Sequence, residues 1–195
     1  KCKKKKINDN IPSQVMGLKL RSATNTWYAS ALSTFGIFYN KTLLKRLNLP
    51  EPQSWEDLAK PEYEGLVSVA DPRHSSTSLI MNMIILQSLG WEKGWKLLTQ
   101  VAINTAKFTH SSSDPIRSVS LGQNSLATSI DFYANAKITE IGSQHLGFIV
   151  PKGKSIFNSD PIGVLKGASN LKVAKDFVNF VLSLRGHKLL VLPKN

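Results

Sequence analysis

Apolar residues in this chain follow two alternating spacings. Short runs rich in β-branched and aromatic residues predict strands at 35–39, 66–70, 106–108, 126–130, 146–150 and 162–165. Segments with apolar residues three or four positions apart predict helices at 42–47, 54–60, 78–89, 91–98, 115–122 and 173–184. Asn40 is the predicted N-cap of the first helix, and Ser54 with Asp57 is a predicted capping box at the start of the second. Strands and helices alternate throughout, which predicts the α/β fold class.

The same spacing predicts which sides of the helices are buried. The segment 78–89 is apolar on nearly every side, so we expect it to be deeply buried, with Gly90 ending the helix. An amphipathic helix packs its apolar stripe against the core. Three further inner faces are predicted: Trp91, Trp95 and Leu98; Ile116, Val119 and Leu121; and Val173, Phe177, Phe180, Val181 and Leu184.

Two polar turns join a predicted strand to a predicted helix, and both are rich in hydroxyl groups. Residues 71–78 read Asp-Pro-Arg-His-Ser-Ser-Thr-Ser, and residues 109–115 read Thr-His-Ser-Ser-Ser-Asp-Pro. A helix start leaves backbone N–H groups unpaired at the positive end of the helix dipole, so hydroxyls there can help to hold an anion. The alternative is that these serines are only helix N-caps.

A third candidate position follows the strand at 126–130. Asp131 and Tyr133 come directly after it, and ligands in open α/β sheets bind outside the carboxyl ends of strands. A tyrosine there can stack on an organic ligand, donate a phenolic hydrogen bond, or bind a hard cation such as ferric iron as the phenolate. The alternative is an amphipathic side chain that packs at the rim of the sheet.

Charge and length narrow the class of protein. The 195 residues carry a net charge of +12, of which five positive charges belong to Lys1 and residues 3–6; without them the balance is +7. Because the remaining charges form no stripe interleaved with aromatic residues, we predict a solvated basic tail rather than a nucleic-acid groove. The longest apolar run, 79–86, is too short to cross a bilayer.

Most catalytic and metal signatures are missing from the sequence. Cys2 is the only cysteine, which excludes an internal disulfide and a CxxC site, and Lys1 before it disfavours lipidation. The four histidines have no zinc-ligand spacing, and no GxSxG, P-loop or GxGxxG motif occurs. Asp71 and Asp114 each precede a proline, which favours a turn or cap. Only Asp131 and His110 remain as acid or base candidates, and no cofactor is predicted.

The order of many short motifs resembles a known family. The segments 36–41, 54–58, 60–65 and 71–78 are followed by 92–95, 109–117, 160–162, 166–168, 174–177 and 180–183. In this order they resemble the type II periplasmic solute-binding proteins of ABC importers, over roughly residues 27 to 190. More narrowly they are similar to the branch that holds iron(III), phosphonate and sugar-phosphate binders.

The resemblance implies two α/β lobes joined by crossing strands, with solute held in a cleft and delivered to a membrane permease. Residues 40–145 would be the nearly complete second lobe, and 27–39 with 146–195 the hinge strands and part of the first lobe. Residues 1–26 would be a polar tether. Family members begin with a long α/β stretch that has almost no counterpart here, so a fragment, a degenerate product or one piece of an assembly are the alternatives, and self-association is left open.

The resemblance also implies three ligand loops. Eight residues match them by position: Ser75, Ser76 and Thr77 in the first, Ser111, Ser112 and Ser113 in the second, and Asp131 and Tyr133 in the third. Iron-binding members ligate the metal with two adjacent tyrosines, whereas this chain has Phe132 before Tyr133. The hydroxyl-rich helix starts suit a phosphate, phosphonate or carboxylate group instead.

Together these features predict a non-catalytic substrate-binding component of an ABC transporter, which captures a small anionic solute or ferric iron. Its partner would be the importer's permease and not nucleic acid, and it would act in the periplasm or another extracytoplasmic space, with any signal peptide outside this numbering. Two other classes stay open. One is an enzyme on the same scaffold, and the other is a module that binds anions or nucleic acid through its lysine-rich start.

Overall fold

The computed structural model of this chain describes residues 11–190 and residue 192. They form two compact units: residues up to 33 together with those from 157 onward make the first, and Thr34–Ile156 makes the second. The division into a tether and two lobes stays a prediction. The basic tail and Cys2 lie outside the described residues, so the structure does not bear on the predictions made for them.

The described residues contain eight strands and nine helices. The strands are β1 (Gln14–Val15), β2 (Leu18–Lys19), β3 (Tyr28–Asn40), β4 (Val67–Ala70), β5 (Thr105–Thr109), β6 (Leu126–Ile130), β7 (Leu146–Ile149) and β8 (Phe157–Ile162). The α-helices are α1 (Lys41–Arg46), α2 (Ser76–Leu89), α3 (Trp91–Asn104), α4 (Ser113–Ser120), α5 (Asp131–Ile141), α6 (Leu171–Val181) and α7 (Leu184–Leu190). Two 3-10 helices, Trp55–Ala59 and Pro61–Tyr63, complete the set. Within the described part of the chain, no helix has the length and apolar character needed to cross a bilayer.

The second unit is built on a mixed sheet in the order β5-β4-β6-β3-β7. Strand β4 runs parallel to β5 and β6, whereas β3 runs antiparallel to β6 and β7. The α/β class predicted from the sequence is confirmed. Because β4, β5 and β6 point the same way, their carboxyl ends meet at one edge of the sheet, and the carboxyl end of β3 lies at the opposite edge.

The larger of two clusters of buried apolar side chains in the second unit includes Trp55, Leu58 and Tyr63. The Trp55 indole N–H donates to the Lys154 carbonyl oxygen at 2.6 Å, and the Tyr63 hydroxyl donates to the Pro50 carbonyl at 2.7 Å. Burial raises the pKa of Tyr63 to about 12, with smaller contributions from nearby carboxylates. These polar tips can be buried because each has a partner.

Two helix starts follow the predicted capping chemistry. Asn40 caps α1, and its side-chain oxygen accepts from the Leu43 N–H at 2.8 Å. Ser54 and Asp57 form the predicted capping box, in which Asp57 accepts from the Ser54 N–H at 2.8 Å, although the helix that begins there is 3-10 rather than α. Local side-chain chemistry therefore sets where these elements begin.

The predicted inner face of α3 is wrong for its two tryptophans. Trp91 is 69% exposed and Trp95 is 46% exposed, whereas Leu98 is half-buried and packs against the core. The side that α3 buries most fully contains Gly94 and Leu97. The reason is close packing: a Cβ on Gly94 would come within 2.9 Å of the Leu86 Cα on α2. A glycine lets the two helices approach, whereas a bulky indole at the contact would force them apart.

Other predictions need smaller corrections. Helix α2 buries Ile84 and Ile85 but leaves Leu79 and Met83 about half exposed, so it is not buried on every side. In α4 the burial of Ile116 and Val119 is confirmed, whereas Leu121 is exposed because the helix ends one residue before it. The strand expected at 162–165 lies earlier, as β8, and α5 was not predicted because the apolar residues of 131–141 form no clear stripe.

The first unit has a much smaller core. Strands β1 and β2 pair with each other, β8 pairs with β3, and the buried cluster contains Tyr28, Val164, Val178 and Leu182. Helix α6 contacts this cluster through Val178, whereas four members of the predicted inner face are exposed: Val173, Phe177, Phe180 and Leu184. The fifth, Val181, is half-buried, so the prediction is wrong for most of the stripe.

Candidate ligand site at the carboxyl ends of three parallel strands

Three loops leave the same edge of the sheet in the second unit. Each leads from a strand to a helix: the first from β4 to α2, and the second from β5 to α4. Strand β6 continues directly into α5, and we call the first turn of α5 the third loop. Because β4 lies between β5 and β6, the first loop lies between the other two. All eight residues predicted for ligand binding are on these loops or in the first turns of the helices that follow, although their assignment as ligands stays a prediction.

In the first loop, Ser75 stabilises the start of α2. It is 6% exposed, and its hydroxyl oxygen accepts from the Ser78 N–H at 3.2 Å as the N-cap of α2. The Ser78 hydroxyl in turn donates to the Ala70 carbonyl at 2.6 Å, which ties the start of α2 to the end of β4. Ser76 is exposed and Thr77 is half-buried, so their hydroxyls are the more accessible ones.

Asp71 and Arg73 stiffen this loop. The Arg73 guanidinium donates through Nη2 to Asp71 Oδ2 at 2.6 Å and through Nε to both carboxylate oxygens at 3.0 Å. The Asp71 N–H donates to the Thr109 carbonyl at 2.8 Å, which joins the first loop to the end of β5. The expectation of a turn role for Asp71 is confirmed, since it also accepts from the Arg73 N–H at 2.9 Å.

Hydrogen bonds from the Arg73 side chain and N–H hold the pKa of the Asp71 carboxyl well below its ordinary value. The carboxylate form of Asp71 is therefore more favoured in the folded state than in the unfolded chain. The ion pair stabilises the fold fully above about pH 4, and this stabilisation is lost as pH falls through the lowered pKa. We expect Asp71 to titrate far below pH 4 in a carbon-13 NMR titration. Arg73→Ala should raise its midpoint, whereas Arg46→Ala, at the opposite edge of the sheet, should leave it unchanged.

The second loop is held by its own hydroxyl groups. Ser111 and Ser113 share a hydrogen bond at 2.8 Å between their side-chain oxygens, and the Thr109 hydroxyl donates to the Ser111 carbonyl at 3.1 Å. The Ser111 N–H donates to Asp114 at 3.3 Å, which confirms the cap role expected for that aspartate. Ser112 is the N-cap residue of α4 but makes no side-chain capping bond.

Two histidines join the first loop to the second. The rings of His74 and His110 stack with their centroids 4.1 Å apart and their planes 22° apart. Each histidine directly precedes two serines, so the tripeptide His-Ser-Ser occurs at 74–76 and again at 110–112. Sequence reasoning did not place the histidines together, but this repeated tripeptide, at corresponding positions after neighbouring strands, was the available signal.

The third loop supplies a carboxylate and two aromatic rings. Asp131 begins α5 and accepts from the Phe132 N–H at 2.8 Å. The ring of Tyr133 is 38% exposed and lies 4.5 Å from the ring of Phe132. An aromatic pair of this kind can cover the carbon skeleton of a small ligand.

The donors at this edge suit an oxyanion better than a metal ion. Hydroxyls, imidazoles and the N–H groups at the start of α2 are able to donate to phosphate or carboxylate oxygens. At the start of α4 the hydroxyls and His110 are the donors, because the N–H groups of Ser113 and Asp114 already donate to Ser111 and Pro115 has none. In residues 11–190 and 192, no three His, Cys, Asp or Glu side chains are grouped as metal ligands. A phenolate site at Tyr133 stays a prediction.

A cavity of about 900 Å³ lies elsewhere in the second unit, around the start of α1. Its lining includes Lys41, Lys45, Glu51 and His145. This is the opposite edge of the sheet from the three loops, because α1 follows the carboxyl end of β3. It contains none of the paired helix starts that could hold an anion.

Known proteins with similar sequences or folds include a transport regulatory protein and two binding proteins. The chain is 28% identical over 182 residues to the phosphoglycerate transport regulatory protein PgtC of Salmonella typhimurium, a match that covers 93% of this chain and 45% of the relative. The periplasmic binding protein AfuA of Actinobacillus pleuropneumoniae, solved with fructose-6-phosphate bound, superposes with a TM-score of 0.80 at 25% identity, over 95% of this chain and 58% of that one. The apo ferric ion-binding protein A of Pasteurella haemolytica has the same fold, with a TM-score of 0.73 at 19% identity, over 97% and 60% of the two chains.

The chain therefore spans about half the length of the curated relatives that it matches. The resemblance inferred from the short motifs is confirmed by a family model. The model described as "Bacterial extracellular solute-binding protein" matches residues 2–192, which is nearly the whole chain. This chain belongs to the family of bacterial extracellular solute-binding proteins.

Proposed function

We propose that this chain is part of the substrate-binding component of an ABC importer and that its cargo is a small phosphorylated organic anion. The observation that carries the proposal is the pair of His-Ser-Ser turns. They follow neighbouring parallel strands, they open α2 and α4, and the stacked rings of His74 and His110 hold them side by side. Two helix starts with hydroxyl and imidazole donors form a site for a phosphoryl group.

The known relatives support the same class of ligand. One is named for phosphoglycerate transport, and another was solved with fructose-6-phosphate bound. Phosphoglycerate and fructose-6-phosphate each join a phosphoryl group to a short hydroxylated carbon chain. In this chain, the phosphoryl group would bind at the two turns, and Tyr133 with Phe132 would cover the carbon chain. A periplasmic location and delivery to a membrane permease accord with the family.

The alternatives to this proposal concern the cargo and the chemistry. Ferric iron is the alternative cargo, with Tyr133 as its phenolate ligand, and the ferric-binding neighbours at 19% identity support only the fold. Catalysis is not part of the proposal, because the family and its solved neighbours are binding proteins. No resident cofactor is proposed.

The first experiment is thermal unfolding of the full chain with a panel of candidate ligands. A ligand that binds only the native state raises stability by about RT ln(1 + [L]/Kd). We expect a saturable increase in Tm with fructose-6-phosphate and phosphoglycerate and none with fructose or glycerate, which lack the phosphoryl group. A shift with ferric citrate alone would replace the phosphoryl proposal with the iron alternative, and turnover of a ligand during incubation would favour an enzyme.

The turn assignment is tested by the double variant Ser76→Ala with Ser112→Ala. Hydrogen bonds to charged groups contribute about 1.5–3 kcal/mol each, so we expect the loss of two of them to lower the affinity for the phosphorylated ligand by at least about 100-fold in calorimetric titration. Ser75 is left intact because its loss would remove the α2 cap.

The matched control is Ser88→Ala with Ser120→Ala. These serines lie at the opposite ends of the same two helices, where their hydroxyls donate to helix carbonyls. This control should keep the parental affinity. Equal affinity of both double variants would overturn the placement of the phosphoryl group at the two turns.

A further inference from the structure

The imidazole rings of His74 and His110 form a stacked pair between the first and second loops. Their centroids are 4.1 Å apart and their planes are 22° apart. Both side chains are exposed, so a ligand that arrives from solvent can reach the edges of the rings. Among the described residues, no hydrogen bond joins a ring nitrogen of either histidine to another protein group. The ring nitrogens are therefore available to a ligand.

The other charges around the histidine pair balance one another. The first loop, β5, α4 and the third loop carry three acidic and three basic side chains: Asp71, Asp114 and Asp131, and Arg73, Lys107 and Arg117. Strand β4 and helix α2 carry none, and Tyr133 is the remaining titratable side chain on these elements. The Asp71 carboxylate is bonded to the Arg73 guanidinium at 2.6 Å. Because the fixed charges cancel, the histidine pair sets the net charge that an incoming ligand meets.

The charge of a ligand is coupled to the protonation of this pair. An imidazole can gain or lose a proton near neutral pH. Two protonated rings 4.1 Å apart would repel each other, whereas one protonated ring stacked on a neutral ring carries a single positive charge. A ligand with two negative charges attracts that proton about twice as strongly as a ligand with one, because the Coulomb energy is proportional to the charge. The pair therefore favours a doubly charged oxyanion.

We propose that the pair formed by His74 and His110 selects phosphomonoesters in their doubly charged form and takes up a proton from solvent as the ligand binds. This inference rests on the proposed function, because it assumes a phosphoryl group at the two turns. A phosphomonoester carries close to two negative charges above about pH 7, since its second proton dissociates near pH 6. Sulfate esters, phosphodiesters and simple carboxylates carry one. The pair thus separates these classes of ligand by charge.

The alternative is that the stack only holds the two loops together, in which case binding exchanges no protons with the buffer. Calorimetric titration of the full chain with fructose-6-phosphate at pH 7.5 distinguishes the two roles, because the observed enthalpy follows the ionisation enthalpy of the buffer when protons are taken up. We expect an uptake of about 0.3–1 proton per ligand from a comparison of PIPES and Tris buffers. The affinity should also fall by at least about threefold from pH 7 to pH 8.5, over which the ligand stays doubly charged.

The double variant His74→Asn with His110→Asn keeps a polar side chain at both positions, but neither can be protonated. We expect proton uptake to disappear in this variant. The parental chain should bind fructose-6-phosphate at least about tenfold more tightly than fructose-6-sulfate, which has one charge fewer, and the variant should lose most of this preference. Both histidines are exposed, so the Tm of the variant without ligand should stay near the parental value.

His145→Asn is the matched control. His145 is exposed at the opposite edge of the sheet, and its ring Nδ1 lies 3.0 Å from the Thr42 hydroxyl. The control should keep the parental proton uptake and the parental preference for the phosphate ester.

Two results would overturn this inference and leave the proposed function standing. One is binding of fructose-6-phosphate with the same enthalpy in both buffers. The other is a proton uptake that the double variant retains, or that His145→Asn lowers to the same extent. By contrast, a failure of both fructose-6-phosphate and phosphoglycerate to bind would overturn the proposed function and this inference together.

Discussion

Trp55→Ala is expected to lower the free energy of unfolding of the second unit by about 3–5 kcal/mol. The indole is fully buried in the main cluster, so the substitution leaves a large cavity. It also removes the donor to the Lys154 carbonyl, a hydrogen bond of 2.6 Å between residues 99 positions apart in the chain. Urea unfolding followed by circular dichroism measures the change.

Trp91→Ala is the matched control for this prediction. It makes the same change at a side chain that is 69% exposed on α3, and we expect a loss within about 0.5 kcal/mol. Trp55→Phe separates the two causes, because it keeps most of the apolar volume and removes only the N–H donor. Similar losses for Trp55→Ala and Trp91→Ala would contradict the central position of Trp55 in the core.

Gly36→Ala is expected to lower the free energy of unfolding by about 3 kcal/mol, because the new methyl group would overlap the backbone of the neighbouring strand. An added Cβ would collide with the Ile149 carbonyl oxygen on β7 and would come within 2.8 Å of the Phe148 ring. Backbone atoms cannot move aside as the end of a flexible side chain can, so β7 must separate locally from β3. Hydrogen exchange of the β7 amides should accelerate together with the loss of stability.

Gly153→Ala is the comparison for this second prediction. Nothing lies within 4 Å of the added Cβ there, and the cost is limited to the strain of a positive φ of 68°, about 1 kcal/mol. Its effect on the exchange of β7 amides should be negligible. A Gly36→Ala variant with unchanged exchange in β7 would show that the two strands do not approach as closely as described.

Much of the fold follows from signals that are local in the chain. The β-branched runs became β4 and β6, and Asn40 and the Ser54–Asp57 box start helices as predicted. The buried faces of α3 and α6 could not be predicted from such local signals, because an apolar stripe shows only that some surface is available for packing. Gly94, a residue without a side chain, decides which side of α3 contacts α2.

The candidate site, like the fold, could be predicted from the sequence only in part. The hydroxyl clusters, the two aspartate turns and Tyr133 were found from composition and spacing, because those signals lie within one loop. The contact between His74 and His110 could not be found so, since it joins loops 36 positions apart. Likewise, the cap role of Ser75 depends on its burial, which only packing establishes.

The sequence by itself determined the α/β class and the chemistry of the loops, because residue type and periodicity are local properties of the chain. The order of its short motifs also indicated the family. Only the tertiary structure decided that β4 lies between β5 and β6, and therefore that the two His-Ser-Ser turns are neighbours at one edge of the sheet. It also decided which apolar faces are covered and which, like that of α6, are not. Strand order and helix contacts arise from pairing between distant segments, and the spacing of residues within one segment carries no information about them.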